Sequence, residues 1–142
     1  MTVDASMHAR LLAAFLTTTP DPAGEGALAA RHGLLPLYRG WGGFIGLAAD
    51  GELYSVGWDP PHDRAVVREP VWRRVALVRG AAQYPELAAL RPVRAADAVD
   101  CPGCHGTGRP LVDGRPLPGD ILCQCAGLGW VPPDEAGQAA RG

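Results

Sequence analysis

The chain of 142 residues has no lysine and no asparagine, and it holds only four cysteines and two serines. It also lacks any run of about 18 apolar residues, so we expect no membrane-spanning helix and no membrane partner. The N-terminus lacks a basic segment followed by a long apolar core, so we expect no signal peptide. A chain that stays in the cytoplasm keeps its thiols reduced, and the four cysteines are therefore expected to be free of disulfides.

Groups that could perform catalysis are few. Ser6 is predicted at a helix start and Ser55 inside a strand, so neither fits a nucleophile elbow. The four histidines are scattered, and none lies in a metalloprotease or phosphate-binding motif. His62 beside Asp63 could form an acid–base pair, although a local hydrogen bond in a loop is the commoner role of such neighbours. The sequence therefore predicts a protein that is not an enzyme and has no small-molecule substrate.

Charge is unevenly distributed along the chain. All thirteen basic residues are arginine, which together with 19 glycines and 14 prolines indicates a GC-rich bacterial genome. Residues 64–94 carry seven arginines and two glutamates, whereas the segments before and after them are acidic. A basic band of this kind can attract nucleic acid. The net charge of −2 and the isoelectric point of about 6.0 instead favour pairing of these arginines within the fold.

All four cysteines lie in two short motifs, Cys101-Pro-Gly-Cys104 and Cys123-Gln-Cys125. Zinc takes four ligands in a tetrahedron, and two thiolate pairs on two tight turns supply all of them. The spacing therefore predicts one structural zinc ion per chain, with no position open for water or substrate. Three alternatives stay open: a redox dithiol at Cys101 and Cys104, two disulfides in any of three connectivities, and a ligand set in which His105 replaces one cysteine.

The cysteine region resembles the CxxCxGxG repeat of DnaJ-type chaperones. Two copies of the pattern occur, the first at Cys101, Cys104, Gly106 and Gly108 and the second, degenerate, at Cys123, Cys125, Gly127 and Gly129. The resemblance covers residues 101–130 and implies a zinc fold with one ion, since the chaperones hold two ions on four repeats. Leu122 stands where the second copy should have its first cysteine. No His-Pro-Asp of a J domain is present, so the resemblance does not imply co-chaperone activity.

Hydrophobic spacing and turn residues predict an α+β fold, in which a small antiparallel sheet packs with helices. Helices are predicted from Asp4 or Ser6 to just before Pro20, and over residues 27–32, 70–82 and 84–90. A hairpin over residues 43–58 is predicted either to pack on the helices or to join a further strand at about 34–38. The expected organisation is an α+β domain over 1–94, a linker over 95–100, a zinc-binding double-knuckle module over 101–131 and a disordered tail over 132–142.

The hairpin is the most specific local prediction. Asp50-Gly51 suits a type I′ turn of two residues, because both turn positions need positive φ. That turn would place Leu47 opposite Tyr54 and Ile45 opposite Val56. One face of the hairpin would then gather the larger apolar side chains, namely Ile45, Leu47, Tyr54, Val56 and Trp58.

These features together predict a non-enzymatic protein-binding or adaptor protein in the cytoplasm. Residues 5–90 weakly resemble bacterial SUKH-type immunity proteins in their order of elements, which implies a toxin as partner. Tryptophan and arginine most often anchor interfaces, so the predicted partner surface consists of Trp41, Trp58, Trp72, Arg73 and Arg74, with the zinc module bracing its edge. The alternatives are a nucleic-acid-associated zinc protein, and a thiol oxidoreductase or chaperone-like protein.

Overall fold

The computed structural model describes residues 4–18, 24–40, 42–117 and 123–139. The chain divides after Arg91 into two compact units, Met1–Arg91 and Pro92–Gly142. No helix within the described residues is long and apolar enough to cross a membrane. Helices and a small antiparallel sheet form the first unit, and the second contains the cysteines. The predicted α+β class is therefore confirmed.

Within its described residues, the first unit contains four strands and four helical segments. The helices are α1 (Ala5–Thr18), α2 (Glu25–His32) and α3 (Pro70–Gln83), followed by a 3-10 helix at Pro85–Leu90. The strands are β1 (Leu35–Gly40), β2 (Gly43–Leu47), β3 (Leu53–Gly57) and β4 (Arg64–Val66), which form one antiparallel sheet in that order. The predicted helices and first three strands are present, whereas β4 follows a proline-rich loop and was not expected.

Helix ends follow from local chemistry. The carboxylate of Asp4 accepts the N–H of Ser6 at 2.7 Å, which satisfies an unpaired donor at the start of α1. Gly33 ends α2 in the left-handed conformation, with φ of 64°, and its N–H donates to the carbonyl of Ala29. Pro70 occupies the first turn of α3, where a missing N–H costs nothing.

The predicted hairpin register is wrong by one residue. Leu47 lies opposite Leu53, and Ile45 lies opposite Ser55. The turn has three residues instead of two: Ala48 donates its N–H to the carbonyl of Glu52, and Gly51 alone has a positive φ, 87°. This is the type I turn with a glycine bulge, the next commonest hairpin connection. Since side chains alternate along a strand, the slip exchanges the faces of the residues in β3.

Both faces of the sheet are therefore covered by apolar side chains. On one face Ile45, Leu47 and Leu53 pack with Leu11 and Phe15 of α1 and with residues of α3. On the other face the buried cluster is Leu28, Leu34, Phe44, Ala48 and Val56. Burying two faces in a small unit explains how a sheet of four short strands is stable, because a lone hairpin is marginal in water.

Glu52 ties the hairpin turn to α3. Its Oε1 accepts the N–H of Leu53 and the guanidinium of Arg73, both at 2.9 Å. The Leu53 N–H, and after it Arg73, hold the pKa of Glu52 below its usual range. A carboxyl whose pKa is lowered on folding stabilises the fold above its unfolded pKa. This contribution is lost as the pH falls through the lower, folded value.

We therefore predict that Glu52→Gln lowers stability slightly near neutral pH and that this loss is smaller at pH about 3, because the contribution of a carboxyl whose pKa is lowered on folding declines once the pH is below its unfolded pKa. Urea unfolding of the first unit, followed by tryptophan fluorescence at both pH values, measures this difference. Comparing the variant with the parent at each pH cancels any acid effect on the cysteine cluster. A stability difference that grows on acidification would contradict the prediction.

The part of the second unit that the structure describes consists of short strands and one helix. The strands are β5 (Val99–Asp100), β6 (Leu111–Val112), β7 (Arg115–Pro116) and β8 (Trp130–Val131), and the helix is α4 (Pro133–Ala139). β5 pairs with β8 and β6 pairs with β7, both antiparallel. The end of the predicted linker is thus a strand, and residues 133–139 are helical where a disordered tail was predicted. The remainder of that tail, 140–142, lies outside the described residues.

Candidate metal centre

The four cysteine side chains converge on one point. All four Sγ atoms lie within 4.8 Å of one another, and the sulfurs of Cys101 and Cys123 are 3.5 Å apart while those of Cys104 and Cys125 are 3.8 Å apart. A tetrahedral ion with bonds of about 2.3 Å to sulfur has sulfur–sulfur edges of about 3.8 Å. The cluster is therefore the size of a four-thiolate metal site, and its four residues could hold one ion.

The second cysteine of each motif begins a turn of the same shape. After Cys104 the backbone has φ values of 52° at His105, 82° at Gly106 and 87° at Gly108. After Cys125 the corresponding values are 57° at Ala126, 85° at Gly127 and 84° at Gly129. Each left-handed position favours glycine, so the two Gly-x-Gly sequences are what lets both turns form. The degenerate second repeat thus folds like the first.

Backbone donors in these turns point at sulfur. The N–H of Gly108 donates to the Sγ of Cys104 at 3.2 Å, and the N–H of Gly129 donates to the Sγ of Cys125 at 3.3 Å. Each bond joins a cysteine to the glycine four residues later. Backbone N–H donors of this kind orient and stabilise a sulfur that binds a metal, so both turns suit metal binding.

The remaining environment opposes charge. Cys101, Cys104 and Cys125 are fully buried, and Cys123 is 5% exposed. Burial raises the pKa of the Cys101 thiol and, more strongly, that of Cys123. Burial also raises the pKa of Cys104, but the Gly108 N–H and the neighbouring thiols outweigh it and leave that pKa below its usual value. Four buried thiolates would repel one another, and a divalent cation offsets that cost.

The two turns also pack directly on each other. A Cβ added at Gly108 would lie 2.8 Å from the carbonyl oxygen of Gly127, and one added at Gly129 would lie 2.6 Å from that of Gly106. The contact is reciprocal, since the second glycine of each turn meets the first glycine of the other. No side chain fits in either place. The CxGxG spacing therefore serves the docking of the two turns as well as their backbone conformation.

The departures from the repeat leave the cluster intact. Cys123 follows one residue late, yet its sulfur still reaches Cys101, and its carbonyl accepts the N–H of Ala126 at 2.8 Å. Leu122 lies outside the described residues. His105 is exposed and does not belong to the cluster, which consists of the four cysteines alone among the described residues. No cysteine forms a disulfide.

The predicted partner residues have different environments. Trp72 is 42% exposed and its ring lies 6.0 Å from that of Tyr38. Trp58 is half-buried: its ring packs 5.7 Å from Phe44, and its Nε1 donates to the carbonyl of Gly40. Trp41 lies outside the described residues. Trp72 is thus more exposed than Trp58, the other tryptophan of the predicted surface among the described residues.

The two predicted arginines are engaged in the fold. Arg74 is only 7% exposed, which leaves its side chain little surface for the predicted partner. Arg73 is half-buried, bonds Glu52 and donates to the carbonyl of Val67 at 3.0 Å. The buried face of α3 thus includes Arg74, whereas the Arg73 side chain is 39% exposed. Through Glu52 and Val67, Arg73 ties α3 to the residues that flank the strands.

A cavity beside Trp72 was not predicted. Its volume is about 400 Å³, and it lies over one end of the sheet, lined by Tyr38, Gly40, Ser55, Gly57, Val67 and Trp72 among others. The sequence signal that could have revealed it is the set of strand-end glycines, which leave room next to two aromatic rings.

The chain matches no protein-family model, and no significant match exists among curated proteins or solved structures. The resemblance to the DnaJ-type repeat therefore rests on the motif at residues 101–130 alone. The resemblance of residues 5–90 to SUKH-type immunity proteins receives no support from these comparisons.

Proposed function

We propose that the four cysteines hold one zinc ion per chain in a purely structural role. Four thiolates at tetrahedral spacing suit zinc, and they leave no position for water or substrate. The unit around them is small, and among its described residues the buried cluster consists of the four cysteines and Val131. A unit with so little apolar core needs the metal to fold.

A redox role is the less favoured alternative. A reactive thiolate must be accessible to its substrate, whereas three of the four cysteines are fully buried. A thiol oxidoreductase would also need a redox pair that is free of metal. The geometry instead favours a protein without catalytic chemistry in this unit.

The protein acts, in our proposal, as a binding or adaptor protein whose partner is another protein. The observation that carries this proposal is Trp72, a large aromatic side chain left 42% exposed beside an open cavity. Tryptophan is enriched among the residues that dominate binding energy. The exposed ring of Trp72 therefore supports an interface at this place.

A nucleic-acid partner is the second candidate, supported by the arginines of residues 64–94. Several of these already have partners: Arg64 stacks on Tyr54 at 4.6 Å, Arg73 bonds Glu52, and Arg94 bonds Asp100 at 3.2 Å. Arginines held in this way are less available to phosphates. We therefore place the nucleic-acid role below the protein-binding role.

The proposal extends to cellular context. We propose a cytoplasmic protein of bacterial origin, because reduced cysteines suit that compartment and the arginine-only composition suits a GC-rich genome. A toxin-neutralising immunity role is the narrowest form of the protein-binding proposal. It requires that the captured partner be a toxin.

Affinity capture tests the protein-binding proposal. The full-length protein is used as bait in cytosol from its own source, and the bound proteins are identified by mass spectrometry. We predict a specific partner whose recovery falls about tenfold or more with Trp72→Ala, the loss typical of a central aromatic anchor. The matched control is Leu16→Ala, which trims another exposed apolar side chain, on α1. The absence of any specific protein, or salt-sensitive recovery of nucleic acid alone, would contradict the proposal.

A further inference from the structure

Two glycines keep the cavity open. Gly40 and Gly57 line it from the ends of β1 and β3, and neither has a left-handed backbone that would demand glycine. A Cβ at Gly57 would meet nothing closer than the carbonyl oxygen of Gly42 at 3.7 Å, and a Cβ at Gly40 nothing closer than 3.8 Å. The fold could accommodate side chains there, and glycine weakens a strand. What glycine provides at both positions is empty space.

The sheet next to the cavity ends in an open strand. β4 is the last strand of the sheet, and all three of its residues are exposed. The N–H of Val67 donates to the carbonyl of Leu53, so residues 65 and 67 bond toward β3. By the alternation of an antiparallel ladder, the backbone groups of Arg64 and Val66 point away from β3. These groups form a template on which another strand can pair.

The charges that line the cavity indicate which kind of chemical group can bind there. The charged residues that line the cavity are Arg68 and Glu69, which have opposite signs and are adjacent in the chain. The other lining side chains are apolar, aromatic or small, with Ser55 and Tyr38 as hydroxyl groups. Such a cavity attracts neither a polyanion nor a cation, and it complements an uncharged group that can pack on the rings of Tyr38 and Trp72.

We propose that an extended, uncharged peptide segment of the partner protein pairs with β4 and inserts one aromatic or large aliphatic side chain into this cavity. The inference rests on the proposed protein-binding function and names the chemistry of its partner. Main-chain hydrogen bonds to Arg64 and Val66 supply affinity, and the cavity selects the inserted side chain, as in other strand-addition complexes. Trp72 forms the wall against which that side chain packs.

The test is selection from a displayed library of short random peptides with the full-length, zinc-loaded protein. We expect the selected peptides to share one aromatic or large aliphatic residue and no net charge. A synthetic peptide of the selected sequence is then titrated against variants of the protein. The affinity of Val66→Pro for this peptide should be about tenfold below that of the parent, because proline removes a backbone donor that faces solvent. Val66→Thr keeps that donor and the branched side chain, and should bind as the parent does.

Gly57→Ala gives a second readout. The new methyl group occupies the cavity without a clash, so affinity for the peptide should fall while the melting temperature stays equal or rises, because alanine restricts the unfolded chain more than glycine does. If Gly57 were needed only for the fold, Gly57→Ala would lower both the peptide affinity and the melting temperature, or neither of them. The proposal is overturned if no peptide is selected, or if Val66→Pro and Gly57→Ala both bind the peptide as the parent does. N-acetyltryptophanamide, a single aromatic residue without a strand, is tested beside the peptide. Binding of this compound in the cavity without binding of any peptide would also overturn the proposal.

The same variants separate this inference from the proposed function. If the partner captured from cytosol is retained by both Val66→Pro and Gly57→Ala, the protein-binding function stands and the strand-addition site is wrong. If no partner is captured by the parent protein at all, the proposed function itself fails.

Discussion

Replacing Cys104 with serine is expected to abolish zinc binding and unfold Pro92–Gly142, while Met1–Arg91 stays folded. The parent should carry one zinc per chain. Zinc binding to small structural sites supplies roughly 10–16 kcal/mol of folding free energy, which exceeds the few kcal/mol that a core of this size can provide. A serine hydroxyl stays protonated at neutral pH and does not replace a buried thiolate. Elemental analysis measures the zinc, and residue-resolved amide exchange measures folding in each unit.

His105→Ala is the matched control for Cys104→Ser. His105 is exposed, has a φ of 52°, and corresponds to Ala126 of the second turn, which has a φ of 57°. Alanine is thus already accommodated at this position in the equivalent turn, and the variant should retain one zinc. Loss of zinc with His105→Ala would show that the imidazole is a ligand. Uniform loss of amide protection in both units with Cys104→Ser would show that they fold as a single cooperative structure.

The cysteine cluster could be predicted because its information is local. A pair of thiolates on a tight turn is specified by a few residues and their glycines, so the spacing sufficed to place four ligands around one point. The spacing did not show that the late Cys123 would still reach Cys101 at 3.5 Å. Reciprocal packing of Gly108 and Gly129 on the opposite turn was also invisible, because cysteine spacing does not specify which backbone atoms of the two turns come into contact.

The hairpin shows where local signals compete. Asp-Gly occurs twice in the chain, and the type I′ conformation predicted for Asp50-Gly51 occurs instead at Asp113-Gly114, where φ is 54° and 76°. The two-residue turn at 113–114 pairs Val112 with Arg115. In the first hairpin, a three-residue turn places Leu53 opposite Leu47 in the core. Burial of Leu53 at 1% exposure therefore decided the register, which the dipeptide alone did not specify.

Tertiary contacts also determine how exposed the two arginines of the predicted partner surface are. Val75 and Val78 of α3 stand at helical spacing, and both are buried. That spacing gives no sign that Arg74 is also buried or that Arg73 bonds Glu52 of the hairpin turn. Long side chains of arginine can reach partners far along the chain. The number of arginines in a segment therefore predicts its surface charge less well than the burial and ion pairs of those arginines do.

Gly129→Ala is expected to weaken zinc binding much more than Gly127→Ala, although both glycines have nearly the same backbone conformation. Their φ values are 84° and 85°, so alanine costs about 1–2 kcal/mol of conformational strain at either position. At Gly127 a Cβ would meet nothing within 4 Å, whereas at Gly129 it would lie 2.6 Å from the carbonyl oxygen of Gly106. The strain is common to both variants, and the steric clash belongs to Gly129 alone.

The clash forces the two turns apart, and that displacement moves Cys125 away from its position in the tetrahedron. Overpacking of this kind typically costs about 1–3 kcal/mol, so the zinc affinity of Gly129→Ala should be roughly ten- to a hundredfold below that of Gly127→Ala. Titration with a competing chelator measures both affinities, and amide exchange in the second unit reports the accompanying loss of stability. Equal affinities would mean that the turns relax freely past each other. The reciprocal glycine contact would then play no part in holding the four sulfurs at their spacing.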